Sequence, residues 1–305
     1  MKITPRNIFA WVVSNLLIAF GFVERAKKKA LNGEFILSFY FHNPTKKEFE
    51  SCLKWLKGNG FVFLSPKDLD EIAKGKVAFP KAGVFLSVDD GWQSNKRNIV
   101  EVALKHDVPV TIFVSTEPVE KGAYWWSFIQ HDKVQYLKTL PNEERLFEVA
   151  TRASKMSLKR ESLSIEELKQ IAKASQIFIE GHTHTHPILT NCSAEAVHYE
   201  LLTSKRKLEK WTKKEVTMFA YPNGDYGCRE IEILKSLNYQ YAFTNKPIYL
   251  KKDSLKNPYE IPRFGFLEGA SFAENICRMV GVWQRLIQKK VRVTDGFRNT
   301  LGRNS

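Results

Sequence analysis

A series of short apolar runs, separated by segments of helical spacing, constrains this chain more than any other feature. Residues 35–41 read as a buried strand, and 61–64, 84–88, 108–114, 177–180, 216–221 and 239–244 as further strands. Between the first two, Phe49, Leu53 and Leu56 fall on one helical face over 46–57, with Trp55 beside them, and Gly58 and Gly60 close that helix. Ser65-Pro66 opens a helix to Ile72, and 96–106 reads as another. Ser164-Ile165-Glu166-Glu167 is a capping box leading a helix to Ala174, and 194–211 is a long helix. The pattern therefore predicts an α/β fold with a parallel sheet or barrel. Residues 125–160, helical and heavily charged, read as an insertion on that scaffold, and 259–266 as a last extended segment.

The 305 residues suffice for the core of one large α/β domain or two small ones. With 43% hydrophobic and 26% charged residues the composition is ordinary, which excludes a disordered, collagen-like or polytopic membrane chain. Cys52, Cys192, Cys228 and Cys277 are scattered without a CxxC pair, so neither a disulfide framework nor a cysteine zinc site is indicated, and a reducing compartment is mildly preferred. The unusual quantity is charge: 47 Lys+Arg against 33 Asp+Glu give a formal +14. Nucleic acid, an anionic membrane surface or an anionic polymer would each suit that charge. No nucleic-acid-binding motif accompanies it, so nucleic acid is not an expected partner. Much of the excess sits at 27–29, 155–160 and 278–303, outside the strand motifs, which suits work near an anionic membrane surface or glycan.

Residues 8–23 form the most apolar stretch, flanked by Lys2 and Arg6 before and Arg25, Lys27, Lys28 and Lys29 after. At ~1.5 Å per residue such a helix reaches about 24 Å, short of the roughly 30 Å of a hydrocarbon core. Ser14 and Asn15 interrupt it and no small-residue cleavage site follows, so a cleaved signal peptide is not expected. A helix docked on the domain, an interfacial anchor and a marginal span all stay open.

Three clusters at predicted strand ends, where α/β folds place ligands, carry the chemistry. Asp89-Asp90-Gly91 suits a plain turn, but adjacent carboxylates can also divide labour between general base and metal ligand. His182-Thr183-His184-Thr185-His186 places three of the seven histidines within five residues, a metal site or a solvated turn. An extended strand would align all three, whereas a helical turn would pair His182 with His186 and turn His184 away. Pro187 biases His186 away from the helical region. Two imidazoles and a carboxylate leave positions open for water or substrate. Phe219-Ala220-Tyr221-Pro222-Asn223-Gly224 is an ordinary turn unless it presents a backbone N–H to developing negative charge.

In combination, Ser87-Val88-Asp89-Asp90-Gly91, His182-Thr183-x-x-His186-Pro187 and Phe219-Ala220-Tyr221-Pro222-Asn223-Gly224 resemble the polysaccharide deacetylases, the NodB-homology carbohydrate esterases. The resemblance takes in 108–114, the capped helix before the histidines and 239–244, and spans 34–267 in order. It implies an irregular (β/α)7 barrel that removes acetyl groups from N-acetylated sugars of a polysaccharide or lipid-linked glycan, with one divalent metal, most often Zn2+. By motif, Asp89 matches the general base, Asp90, His182 and His186 the metal ligands, the backbone N–H of Asn223 the oxyanion donor, and Thr183 a loop-orienting residue. The implied reaction is attack of a metal-bound water on the amide carbonyl, with Asp89 as base and a histidine as acid. Residues 35–44 and the helix after them resemble the poly-N-acetylglucosamine deacetylase branch, which carries its acid histidine on the N-terminal side. His42 is that candidate acid, against a plain reading as a strand-end histidine under a loop.

Departures from the family pattern are Ser87 and Val88 before the aspartates, Ala220 where an arginine is common, and Asn223 where an aromatic is usual. Ala220 leaves Asp89 without its usual partner, and Arg263 is the candidate to orient it. Tyr221, Trp125 and Trp126 are candidates for sugar binding, with core packing the simpler reading of the two tryptophans. His184 is not expected to be a ligand, and His106, His131 and His198 lie in helical stretches and receive no role. O-deacetylation and a silent glycan-binding barrel are the rival functions, the second disfavoured by the complete Asp-Asp and His-His set. The expected organisation is an apolar and basic N-terminal helix over 1–33, the barrel over 34–280 and a basic tail over 281–305. The expected location is cytoplasmic or peripheral at the inner membrane face, or anchored there by the single helix. Oligomeric state is left open.

Overall fold

The computed structural model describes residues 4–285. Two helices, α1 (Pro5–Ala19) and α2 (Phe22–Leu31), precede β1 (Leu37–Phe41). There follow α3 (Lys46–Gly58), β2 (Val62–Phe63), α4 (Pro66–Ala73), β3 (Gly83–Val88), and a π-helical turn (Lys96–Val100) running into α5 (Glu101–Lys105). Next come β4 (Val110–Val114), α6 (Thr116–Lys121), α7 (His131–Leu137), α8 (Asn142–Ala153), α9 (Ile165–Ile171) and β5 (Ile177–Gly181). The chain continues through α10 (Ala194–Thr212), β6 (Met218–Ala220), α11 (Cys228–Ser236), β7 (Tyr241–Phe243), β8 (Phe264–Gly265) and α12 (Phe272–Met279).

Every ladder between these strands is parallel, in the order β7-β6-β5-β4-β3-β1-β8, with β2 beside β3. All residues of β3 and β4 are buried, as unalternating apolar runs require. Phe49, Leu53 and Leu56 of α3 lie fully buried against the sheet, the face their spacing predicted. Capping boxes at Thr45/Glu48, Ser65/Asp68 and Ser164/Glu167 start α3, α4 and α9 by satisfying backbone N–H groups that the first turn leaves free. The sheet curls, and its ends approach each other through one short segment. Ile261 bridges to Phe243 of β7, while Phe264 pairs with Phe39 of β1. Residues 261–265 are therefore the seam of an irregular α/β barrel, the class that the alternation of elements predicted.

The N-terminal segment departs from the single helix expected over 1–33. Gly21, at φ 73°, breaks it into α1 and α2, which meet at a 62° bend. Among the described residues no single helix is long and apolar enough to cross a membrane, although the bent pair passes on length and composition. The helical insertion resolves into a 3-10 turn (Trp125–Phe128), α7 and α8, with Lys155–Arg160 outside any helix. Helix α11 has no counterpart in the sequence reading, its short apolar pattern following directly on the turn residues 222–227. Val282 and Trp283 are buried in the core, so packed chain continues past the boundary expected at 280. The rest of the expected basic tail, 286–305, lies outside the described residues. All four cysteines are free, three of them buried and Cys228 exposed.

Candidate active site

Strands β1, β3, β5 and β6 deliver their following residues to one rim of the barrel, around a cavity of about 380 Å³. Asp89 continues the β3 ladder, its N–H donating to the Phe41 carbonyl at 2.8 Å. In a regular strand the next carboxylate would point to the opposite face. Asp90 instead takes a left-handed φ of 75°, and both carboxylates line the cavity.

Arg263, on the seam, meets Asp89 in a two-pronged pair, Nη1 to Oδ1 at 2.7 Å and Nη2 to Oδ2 at 2.9 Å. Both partners are buried, the geometry in which an arginine fork fixes a carboxylate most firmly. The guanidinium also donates to Ser87 Oγ at 2.9 Å and to the Thr244 carbonyl at 3.2 Å, and lies over the Tyr40 ring at 4.4 Å. Burial pushes the Tyr40 hydroxyl up to about 12, so it faces the site as a neutral group. Arg263 thus stands where the sequence reading left Asp89 in want of a partner.

Asp90, His182 and His186 bring one carboxylate oxygen and two imidazole nitrogens within 4.8 Å of one another. Nε2 of His182 and of His186 stand 3.4 and 3.3 Å from Asp90 Oδ1, longer than good hydrogen bonds, so the three atoms flank a common point. Their surroundings prepare the set. His182 Nδ1 donates to the Ala220 carbonyl at 2.7 Å, which leaves Nε2 unprotonated and directed inward. Asp90 Oδ2 accepts from the Trp92 indole at 3.0 Å. Burial alone would raise the Asp90 carboxyl, but the facing imidazoles of His182 and His186 outweigh it and hold the group well below the usual carboxylate range. Burial lowers His186, favouring the neutral imidazole that a metal needs. Two nitrogens and an oxygen, ionised or neutral as required, fit a divalent ion of the zinc type with positions left toward the cavity.

The histidine loop is neither strand nor helix. Thr183 and His186 both have positive φ, 67° and 56°, and Thr183 Oγ1 accepts from the His186 N–H at 3.1 Å. A β-branched residue in that region is strained, of order 1–3 kcal/mol, and persists because the surroundings over-determine it. Glu200 of α10 supplies much of that constraint, accepting from the backbone of His184 and Thr185 at 2.8 and 2.7 Å and from Thr185 Oγ1 at 2.7 Å. The twist turns His184 away to Thr116, its Nδ1 lying 2.8 Å from Oγ1. His182 and His186 converge without it.

At the third motif Asn223 also has positive φ, 58°, and lines the cavity. The Asn245 amide donates to the Asn223 carbonyl at 2.7 Å while packing on Gly224, where a Cβ would overlap it. Tyr221 reaches the cavity wall, but its hydroxyl donates to the Tyr259 carbonyl at 3.1 Å. His42 is half-buried on the opposite wall. Its N–H donates to Glu268 at 2.8 Å and its carbonyl accepts from Asn95 at 3.0 Å, so its backbone is held on both sides.

Trp126 lines the cavity and packs edge-on to His186, with ring centroids 4.8 Å apart. Trp125 does not line it. It is buried behind the loop, donating to the His186 carbonyl at 3.1 Å, a supporting position rather than the sugar platform considered for it. The sequence reading passed over His131, Gln135 and Lys138, which line the cavity from α7 and the residue that caps it. Their i, i+4, i+7 spacing was the available signal, a polar helical face with a use. Trp92, Glu200 and Glu268 were also missed, and nothing in their sequence neighbourhoods marks them.

A family model described as "Polysaccharide deacetylase" matches residues 76–242. YxkH of Bacillus subtilis (strain 168), which carries the family's name, is 24% identical over 208 residues, 68% of this chain and 61% of its own length. A Staphylococcus aureus (strain MSSA476) protein named poly-beta-1,6-N-acetyl-D-glucosamine N-deacetylase is 26% identical over 230 residues, 73% of this chain and 67% of its own. The chain thus spans under two thirds of the Bacillus relative. Among solved structures, the Streptococcus pyogenes deacetylase PplD in complex with acetate matches with TM-score 0.61 at 20% identity, covering 80% of this chain and 96% of that one. IcaB from Ammonifex degensii matches with TM-score 0.58 at 16% identity, covering 82% and 97%. At such identities the structures speak for the fold.

Proposed function

The chain belongs to the polysaccharide deacetylase family, and from that premise we propose that it is a metal-dependent hydrolase removing acetyl groups from N-acetylated sugars of a glycan. One observation carries the reading: a buried carboxylate held by Arg263 stands next to the Asp90, His182 and His186 set, in one cavity with His42. Asp90, His182 and His186 would hold the metal, for which zinc suits the donor set. When bound, it supplies a Lewis acid that polarises an acetyl carbonyl and acidifies water at neutral pH. Asp89, aimed by Arg263, accepts the proton of the attacking water. The backbone N–H of Asn223 donates to the oxyanion as it develops. His42 gives a proton to the amine that leaves, and the α7 wall with Trp126 and Tyr221 orients the sugar.

The name of the S. aureus relative directs the first substrate to try, poly-β-1,6-N-acetylglucosamine. The purified protein is expected to release acetate from its oligomers, to lose that activity on chelation and to regain it with zinc. Oligomer binding with no metal uptake and no acetate release would establish the silent glycan-binding barrel instead. His42→Ala should slow amide cleavage about 100-fold and ester cleavage much less, because an amine leaves poorly without a proton. Equal losses on an N-acetyl and an O-acetyl substrate would remove His42 as the acid.

A further inference from the structure

Helix α1 is held to the barrel along one narrow stripe. Ala10, Ser14 and Leu17 are buried, Ser14 and the neighbouring backbone lie against α12, and Arg6 pairs with the buried Glu274 of α12 at 2.5 and 2.9 Å. The rest of its circumference is apolar and exposed: Ile8, Phe9, Trp11, Val12, Leu16 and, at the bend, Phe20, with Phe9 and Phe20 69% and 67% exposed. No charged residue occurs from Asn7 to Val23. Asn15, exposed on the same side, donates its amide to the Trp11 carbonyl at 2.7 Å. Immediately beyond the bend, α2 presents exposed Arg25, Lys28 and Lys29. A contiguous apolar face of this kind marks an interaction surface, and the basic residues at its edge specify what it meets.

We infer that the exposed face of α1 docks in the interfacial region of an anionic lipid bilayer, with the basic start of α2 against the headgroups. Charge complementarity selects lipid over another apolar protein surface: uncharged bulk enters the acyl boundary while Arg25, Lys28 and Lys29 meet phosphates, the arrangement of amphipathic monotopic helices. The helix lies on the bilayer and does not span it, because the Arg6–Glu274 pair and the Ala10/Ser14/Leu17 stripe keep it on the barrel. Its N-terminal end is tied by Arg6 to Glu274 in the first turn of α12, a helix that follows shortly after Glu268, which holds the His42 loop.

Co-sedimentation with vesicles tests this separately from catalysis. The full chain is expected to sediment with phosphatidylcholine/phosphatidylglycerol vesicles and much less with phosphatidylcholine alone. The double variant Phe9→Gln, Leu16→Gln should lose at least about tenfold in vesicle affinity, and Lys28→Glu, Lys29→Glu a similar factor that disappears at high salt. All variants should keep the wild-type melting temperature, since these side chains are exposed. Absence of vesicle binding by the folded wild type, or binding unchanged in the Phe9/Leu16 variant, would overturn the inference. So would a wild-type dimer that this variant converts to monomer, since a second copy would then be the occupant.

Discussion

Arg263→Ala is expected to lower stability by about 3–5 kcal/mol, because it leaves the Asp89 carboxylate buried without its counter-charge. For a domain of this size that corresponds to a fall in melting temperature on the order of 10 °C. The side chain it removes also donates to Ser87 and Thr244 and fills space over Tyr40, so the loss is not of charge alone. Turnover should fall at least about 100-fold even at temperatures where the variant is folded, since Asp89 would no longer be aimed. Metal content should stay at the wild-type level, because Asp90, His182 and His186 do not touch Arg263. A double variant, Asp89→Asn with Arg263→Met, separates the two effects: removing both charges should recover much of the stability and none of the activity. Thermal melts, metal analysis and acetate release read all three quantities. An Arg263→Ala protein with wild-type stability and turnover would show that the pair neither supports the barrel nor orients a base.

The second large effect is on the metal. His182→Ala and His186→Ala should each bind the ion far more weakly and release acetate on the order of a thousandfold more slowly, several kcal/mol of barrier. His184→Ala, two residues from either, should keep the metal, because its ring faces Thr116. Trp92→Phe should fall between, losing about 10–100-fold in metal affinity through the bond to Asp90 Oδ2. Titration of the apoproteins with zinc, read by calorimetry, orders the series without reference to turnover. Retention of tight binding by both His182→Ala and His186→Ala would move the ion elsewhere.

Much of this architecture was readable because strands and capped helices declare themselves locally. The apolar runs at 84–88 and 108–114 became β3 and β4, and the Ser164/Glu167 box starts α9 where it was expected. The residues of the candidate metal set were readable because they cluster in sequence at strand ends. Their convergence was less so: whether His184 or His186 accompanies His182 depends on Thr183 and His186 taking positive φ, a backbone state fixed by Glu200 from a different element. The buried Trp283 escaped for the same reason, since it answers to packing between segments far apart in the chain. His131, Gln135 and Lys138 were overlooked differently. Their helix was recognised, but nothing local says which neighbour one of its faces meets.

The seam has a consequence for how the protein matures. Asp90, His182 and His186 are all made well before residues 261–265, and Arg263 joins Asp89 across 174 residues of sequence. Contacts that distant form late in folding, after local helices and neighbouring strand pairs. During synthesis the three candidate ligands can therefore gather before Asp89 has a partner to hold it. On the proposed function, the site is completed by the same step that shuts the barrel, so competence for catalysis and completion of the fold would arrive together.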